Sequence, residues 1–155
     1  MFAALAYVMN REVHAGRVAR LRVQHASESN SSSEARRVDW KLLRTLDIRT
    51  NTPAPELRSL ESRPVAIPGF IVPLEDNADH ISEFLLVPYF GACVHTPPPP
   101  PNQMVYVRMK DSRRIQPGWG DPVWVHGELK IALQNSPFGK TGYQLSGVHV
   151  EAYRE

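Results

Sequence analysis

The chain has 155 residues, of which 42% are hydrophobic, and it carries a formal net charge of +2 and one cysteine. This length suits one domain plus an extension, and the hydrophobic content is enough for a folded core. The small net charge indicates neither a nucleic-acid partner nor an anionic membrane. A single cysteine excludes an internal disulfide and every zinc motif built from several cysteines. No apolar run reaches the ~20 residues of a membrane-spanning helix.

Residues 1–37 are predicted to form a poorly ordered N-terminal extension. The stretch 11–22 is basic, and its apolar residues are too sparse for the stripe of an amphipathic helix. The stretch 27–33 is polar and serine-rich, as in a linker. The opening apolar run, residues 2–9, lacks the preceding basic residues and the longer core of a secretory signal, so the sequence shows no export signal.

Residues 38–155 are predicted to form one mainly β domain, entered through a short helical segment. Asp39 can cap a helix over residues 38–46, in which Trp40, Leu43 and Leu46 recur at helical spacing. Five later segments are rich in branched and aromatic residues or alternate in polarity, and each predicts a strand. These segments are residues 65–74, 82–87, 104–109, 122–133 and 143–153.

Strands of this length in about ninety residues favour a small antiparallel barrel that resembles an oligonucleotide/oligosaccharide-binding (OB) fold. Pro68 and Gly69 mark a bend or bulge in the first strand, and Gly127 marks a bend in the fourth. Such bends let long strands turn the corners of a barrel. The sequence therefore predicts a five-stranded OB-like barrel, with a β-sandwich as the alternative.

Cys93 and His95 are the most chemically distinctive pair in the sequence. They lie two residues apart, so in extended backbone their side chains point to the same face. A thiolate beside an imidazole suits Zn²⁺ or Cu⁺. The same pair suits a histidine-activated nucleophile, although no acidic residue lies nearby in sequence to complete a triad. A buried structural cysteine beside a hydrogen-bonded histidine is the third interpretation.

Two ligands make an incomplete metal site, so further ligands must come from elsewhere in the chain. Two histidine–glutamate pairs have the same two-residue spacing: His126 with Glu128, and His149 with Glu151. If their strands are neighbours, these side chains converge with the first pair and His126 and His149 become ligands. The simpler interpretation is that they are surface residues of strands.

Five consecutive prolines and an amide pair follow the cysteine–histidine pair. These residues are Pro97, Pro98, Pro99, Pro100, Pro101, Asn102 and Gln103. A polyproline II helix has no internal hydrogen bonds and holds its carbonyls rigidly, so the run predicts either a ledge for a partner or a stiff wall. The amides are predicted to tie loop backbone groups together. Tyr89 and Phe90 are predicted to line a pocket or to pack beneath the prolines.

Several strings of the sequence resemble a bacterial family known only as a domain of unknown function, number 3299. The strings are VDWKLLRTLDIRT, AIPGFIVPLED, ISEFLLVPYFGACVHTPPPPPNQMVYV and DPVWVHGEL, so the resemblance covers about residues 38–153. It implies an exported or lipid-anchored protein of Gram-negative bacteria. It also implies an association, in some members, with transporter components of the macrolide-exporter or lipoprotein-release type and with zinc supply. The chain departs from the family in showing neither an export signal nor a lipid-accepting cysteine near its start.

Two functions are expected from these observations. The first is a non-enzymatic accessory protein, periplasmic or membrane-anchored, that binds Zn²⁺ or another transition metal and works with an ABC-type transporter. The second is a protein-interaction module that uses the polyproline wall, with Cys93 and His95 in structural roles. Nucleic acid is not an expected partner, because the basic stretch 108–114 has no interleaved aromatic residues and only Tyr106 nearby.

Overall fold

The computed structural model describes residues 35–77, 79–92, 97–118 and 120–154. Most of the predicted extension, together with Cys93 and His95, lies outside these residues. Arg36 and Arg37, which the prediction placed in the extension, form the first strand of the sheet. Within the described residues, no helix is both long enough and apolar enough to cross a membrane.

In the described part of the chain six strands form one sheet, so the prediction of a mainly β fold is confirmed. They are β1 (Arg36–Arg37), β2 (Pro64–Pro73), β3 (Glu83–Val87), β4 (Val105–Met109), β5 (Val123–Ser136) and β6 (Gly139–Ala152). Their spatial order is β1-β2-β3-β4-β6-β5, and β2 also pairs with β5. The pairings from β2 through β3, β4, β6 and β5 therefore lead back to β2 as a ring. The sheet is mixed rather than purely antiparallel, because β1–β2 and β4–β6 run parallel.

Two one-turn helices precede the long strands. Helix α1 (Trp40–Leu43) begins after Asp39, whose carboxylate accepts a hydrogen bond from the Leu42 amide at 2.8 Å, as an N-cap does. Helix α2 (Pro55–Arg58) starts on a proline, which lacks the amide hydrogen that this position would leave unpaired. The indole of Trp40 donates to the Pro68 carbonyl at 2.7 Å and so joins α1 to β2.

Strand β2 changes partner at the predicted bend. Its residues 64–69 pair with β5, and its residues 70–73 pair with β3. A Cβ atom on Gly69 would lie 2.7 Å from the Val87 carbonyl oxygen, so only glycine allows this close approach of β2 to β3.

The sheet buries apolar side chains on both of its faces. Phe84 and Leu86 of β3 belong to the main core, whereas Leu85 and Val87 belong to a second cluster with Val72. Because alternate strand residues point to opposite faces, the second cluster lies on the outer face. Two residues that flank the polyproline stretch, Ala92 and Met104, complete this cluster. The segment between β3 and β4 therefore packs against the outer face of the sheet near both of its ends.

A carboxylate fixes the connection between β2 and β3. One oxygen of Glu75 accepts hydrogen bonds from the Ser82 amide (2.6 Å), the Ser82 hydroxyl (2.9 Å) and the Glu83 amide (3.0 Å). These bonds, led by that from the Ser82 amide, lower the pKa of Glu75 below its ordinary value of 4.5.

We expect the stabilising effect of Glu75 to disappear in acid. A carboxylate whose pKa is lower in the folded state stabilises the fold above its ordinary pKa, and this effect is lost as the pH falls through the lower folded value. The free energy of unfolding should therefore differ between the parent and Glu75→Gln at pH 7, and this difference should shrink below pH 4.5. Urea titrations at several pH values measure it. Glu128→Gln is the matched control, and an equal pH effect there would contradict the assignment.

Candidate functional site

An apolar cavity of about 230 Å³ lies on the outer face of the sheet, next to the second cluster. The floor is formed by β2, and the walls are formed by residues 89–92 and by Pro117, Gly118 and Gly120. The side chains that matter most are those of Phe70, Val72, Tyr89, Phe90, Ala92 and Pro117. The cavity is therefore lined by aromatic and aliphatic groups, as small-molecule and side-chain pockets usually are.

Phe90 stands at the mouth of this cavity and is largely in solvent. Its side chain is 70% exposed, and that of its neighbour Tyr89 is 44% exposed. The ring of Phe90 meets Phe70 edge-on, with centroids 6.2 Å apart. On its other side a Cβ on Gly120 would lie 3.0 Å from the ring, so the glycine leaves the space that the ring needs. Gly91, with a φ of +81°, turns the chain directly after Phe90.

The polyproline run is anchored at its C-terminal end. Pro97, Pro98 and Pro100 are exposed, and Pro99 is buried. The Asn102 amide donates to the carbonyls of Arg44 (3.2 Å) and Leu46 (3.1 Å) at the end of α1. The backbone of Gln103 donates to the Pro100 carbonyl at 2.9 Å. These bonds fix the end of the run beside the helical segment and leave three prolines facing solvent.

Cys93 and His95 lie outside the described residues, so their chemistry stays a prediction. Their position in the chain is nevertheless informative. Ala92, the residue before Cys93, is fully buried and forms part of the cavity wall. Cys93 therefore follows the wall of the apolar cavity directly in the chain.

His126 and His149 face each other on β5 and β6, and both approach one carboxylate. The imidazole Nε2 of His126 is 2.8 Å from Glu151 Oε1, and that of His149 is 4.0 Å from Glu151 Oε2. The hydrogen bond from His126 lowers the pKa of Glu151, and the charges of His126, His149 and Arg37 add to this effect. Among the described residues, no group of three histidine, cysteine or acidic side chains is arranged to hold a metal ion. The two histidines are thus neighbours, but they surround a carboxylate that His126 already binds.

Sequence reasoning missed an aromatic stack beside these histidines. Trp124 stacks on Tyr153 with centroids 5.4 Å apart, and the guanidinium of Arg37 lies 5.1 Å from the Trp124 ring centre. Stacking and cation–π contacts of this kind stabilise the packing of β1 against the β5–β6 pair. Trp124 and Tyr153 lie far apart in sequence, and only the register of β5 with β6 brings them together.

Sequence reasoning also missed Phe70 and Val72 as part of the pocket. The sequence does contain a signal that both faces of β2 are covered, because β2 is apolar at nearly every position and not only at alternate ones. A strand of this kind is covered on both faces.

Together the fold and the site define a mainly β domain that carries an apolar pocket on its outer surface. A family model described as "Protein of unknown function (DUF3299)" matches residues 17–152 of the chain. The chain therefore belongs to the DUF3299 family. The matched region begins before residue 38 and so takes in part of the predicted extension.

A solved structure is similar to this chain along most of its length. It is a DUF3299 family protein from Pseudomonas aeruginosa PAO1, with 30% sequence identity and a TM-score of 0.60. The match covers 78% of this chain and 97% of that chain. Among curated protein sequences, none matches significantly.

Proposed function

We propose that this chain is a non-enzymatic protein-interaction module whose docking surface is the apolar cavity with Phe90 at its mouth, together with the exposed prolines that follow in the chain. One observation carries the proposal. Tyr89 and Phe90 are consecutive exposed aromatic residues beside a cavity whose lining is almost wholly apolar. Single exposed apolar residues are common on protein surfaces, whereas a contiguous patch that continues into a cavity is typical of a binding site.

The volume of the cavity defines what it accepts. About 230 Å³ suits one apolar side chain, and Phe70 and Phe90 offer ring edges and faces against which an aromatic group packs well. Burying a large apolar side chain contributes about 1.5–3 kcal/mol, which is the scale of a hot-spot contact. Rigid prolines lose little conformational freedom when a partner docks. The partner is thus a protein that presents an aromatic or bulky aliphatic residue on an exposed segment.

The proposal also covers the type of barrel, the cellular location of the protein and the source of its partner. The ring of pairings from β2 back to β2 supports an OB-like barrel spanning residues 38–155. The family resemblance supports a periplasmic or membrane-anchored location and an envelope ABC-type transporter as the source of the partner. With such a partner the module works as an accessory protein of the transporter.

We expect amino-acid amides to bind this cavity in an NMR titration. N-acetyl-phenylalanine amide and N-acetyl-leucine amide should shift the backbone amide signals of residues 70–72, 87 and 91–92 in a saturable way. Phe90→Ala should raise the dissociation constant at least about tenfold, because one wall and its hydrophobic contact are lost.

Leu133→Ala is the matched control for this titration. Leu133 is 48% exposed and does not line the cavity. Its replacement should leave the dissociation constant unchanged. If the shifts persist in Phe90→Ala, or if Leu133→Ala abolishes them equally, the cavity is not the docking site.

A transition-metal site is the second candidate function. It is supported by the two-residue spacing of Cys93 and His95 and by the fact that Cys93 follows the buried wall residue Ala92. Calorimetry with Zn²⁺ tests it on the parent, Cys93→Ser and His95→Ala. Loss of binding in both variants supports the site, and equal binding in all three excludes it. The same titration of His126→Ala and of His149→Ala shows whether these two histidines contribute to Zn²⁺ binding.

A further inference from the structure

A polar cleft of about 450 Å³ lies on the outer face of β4, β6 and β5 and shares no lining residue with the apolar cavity. The strand register arranges its side chains in two rows. Gln144 of β6 lies between Tyr106 of β4 and Lys130 of β5. In the next row Ser146 lies between Arg108 and Glu128. Gln144 and Ser146 are half-buried, whereas the flanking Arg108, Glu128 and Lys130 are exposed. The shorter side chains of β6 therefore form the floor of a groove that runs along this strand.

One wall of the cleft is held in place by a carboxylate. Glu83 accepts hydrogen bonds from the Tyr106 hydroxyl at 2.6 Å and from Arg108 Nε at 2.7 Å. Both side chains are therefore fixed before any ligand binds, and the tyrosine ring keeps one orientation. Preorganised groups of this kind lose little conformational entropy on binding.

Most of the remaining polar side chains of the cleft are free to bind a ligand; Gln134, which donates to the Asn135 carbonyl, is the exception among the described residues. Within the part of the chain that the structure describes, seven of them have no side-chain hydrogen-bond or ion-pair partner: Lys110, Asp111, Ser112, Glu128, Lys130, Gln144 and Ser146. They comprise two ammonium donors, two carboxylate acceptors, an amide and two hydroxyls. The cleft thus offers donors and acceptors side by side.

The charges in the cleft select against strongly charged ligands. Arg108 is neutralised by Glu83. Among the other charged side chains of the cleft, the two positive ones, Lys110 and Lys130, equal in number the two negative ones, Asp111 and Glu128. A polyanion would meet the two carboxylates and a polycation the two ammonium groups, and each like-charge contact is unfavourable. A neutral ligand rich in hydroxyl groups can donate to the carboxylates and accept from the lysines.

The turn at the end of the cleft supports a binding role. Asp111 and Ser112 have φ angles of 56° and 52°, and the Arg113 amide donates to the Lys110 carbonyl at 3.1 Å. Two consecutive residues other than glycine rarely adopt this left-handed conformation. Backbone strain of this kind is concentrated at functional sites. Here the turn brings Lys110 and Ser112 to the rim of the cleft.

From this arrangement we infer that the cleft binds a neutral oligosaccharide along β6. The ring of Tyr106 offers an apolar surface to a sugar ring, while the free side chains on the floor and on the β5 side bind its hydroxyl groups. This inference is independent of the docking cavity, because the two sites share no residue.

NMR titration of the whole chain with cellotetraose, maltotetraose and chitotetraose tests the inference. We expect at least one of them to bind saturably, with signal changes on β4, β5 and β6 and little change between low and high salt. Gln144→Ala and Lys130→Ala should each weaken this binding about fivefold or more. Lys140→Ala, an exposed lysine outside the cleft, is the matched control and should bind as the parent does.

Charged oligomers complete the experiment. Tetragalacturonate and pentalysine should bind more weakly than the best neutral tetrasaccharide. If no neutral tetrasaccharide binds, if a charged oligomer binds better, or if Lys140→Ala loses as much affinity as Lys130→Ala, the inference is wrong. Phe90→Ala should bind the tetrasaccharide normally, so this result is separate from the outcome at the docking cavity.

Discussion

Replacing Gly127 by alanine is expected to lower the free energy of unfolding by about 3 kcal/mol, as overpacking of a close contact does. The new Cβ would lie 2.4 Å from the Ser146 carbonyl oxygen and 3.0 Å from the Gly147 Cα. These are backbone atoms of the paired strand, so no side-chain rotation relieves the contact. The pairing of β5 with β6 also shifts register at this point. Gly127 is therefore the position that lets the two longest strands approach each other at a bend.

Urea denaturation of the parent and Gly127→Ala measures this effect through the midpoint of unfolding. Gly118→Ala is the matched control. At Gly118 the nearest atom to a new Cβ is the Asp121 carboxylate oxygen at 3.4 Å, the end of an exposed side chain. This control should stay within about 0.5 kcal/mol of the parent, as surface substitutions usually do. Equal midpoints for the parent and Gly127→Ala would refute the close approach of β5 and β6.

Tyr143→Phe is expected to lower the free energy of unfolding by about 1–2 kcal/mol, the scale of a buried hydrogen bond. The phenol is fully buried, and its hydroxyl donates to the Leu43 carbonyl at 2.6 Å. Leu43 lies at the end of α1, so this bond joins the helical segment to β6 across 100 residues of sequence. Burial also raises the pKa of Tyr143 above its ordinary value of 10.0. The phenol is therefore protonated, and a hydrogen-bond donor, at neutral pH.

Tyr153→Phe provides the comparison for this substitution. Tyr153 is 39% exposed, and its hydroxyl has no hydrogen-bond partner among the described residues. Its loss should leave the midpoint of urea unfolding almost unchanged. The assignment of the buried hydrogen bond fails if the two tyrosine variants are equally stable.

The strands could be predicted from the sequence because their signals are local. Each of the five predicted segments is rich in branched and aromatic residues or alternates in polarity, and each overlaps an observed strand. The ends of β5 and β6 differ most from the prediction. Their polar residues 134–136 and 139–141 have the composition of a turn, yet they continue the ladder to a tight turn at residues 137–138. Cross-strand pairing overrides local propensity there.

Other parts of the fold depend on contacts between distant residues. Strand β1 consists of two exposed arginines, and nothing in their local sequence indicates that they pair with Val65 and Ala66. Helix α1 is shorter than the predicted residues 38–46, because its hydrogen-bonding pattern loosens into turns after Leu43 while Leu46 still packs in the core.

The candidate site could be predicted only in part. The sequence singles out the stretch from Tyr89 to the polyproline run, and the structure places Tyr89 and Phe90 beside an apolar cavity. Another wall comes from Pro117, Gly118 and Gly120, whose sequence predicts a loop but does not show that this loop meets Phe90. The convergence of His126 and His149 follows from the register of β5 with β6, but their approach to Glu151 required side-chain geometry. Spacing along one strand could not show which carboxylate they share.

Site-specific photocrosslinking tests the docking proposal most directly. Benzoylphenylalanine replaces Phe90 in one variant and Ile48, which is 48% exposed and outside the cavity, in a second. In cells that naturally produce the protein, position 90 should crosslink to one envelope protein, identified by mass spectrometry as a transporter component. The additional change Phe70→Ala should abolish this product, and position 48 should not form it. The same products from both positions, or no product from position 90, would contradict the account.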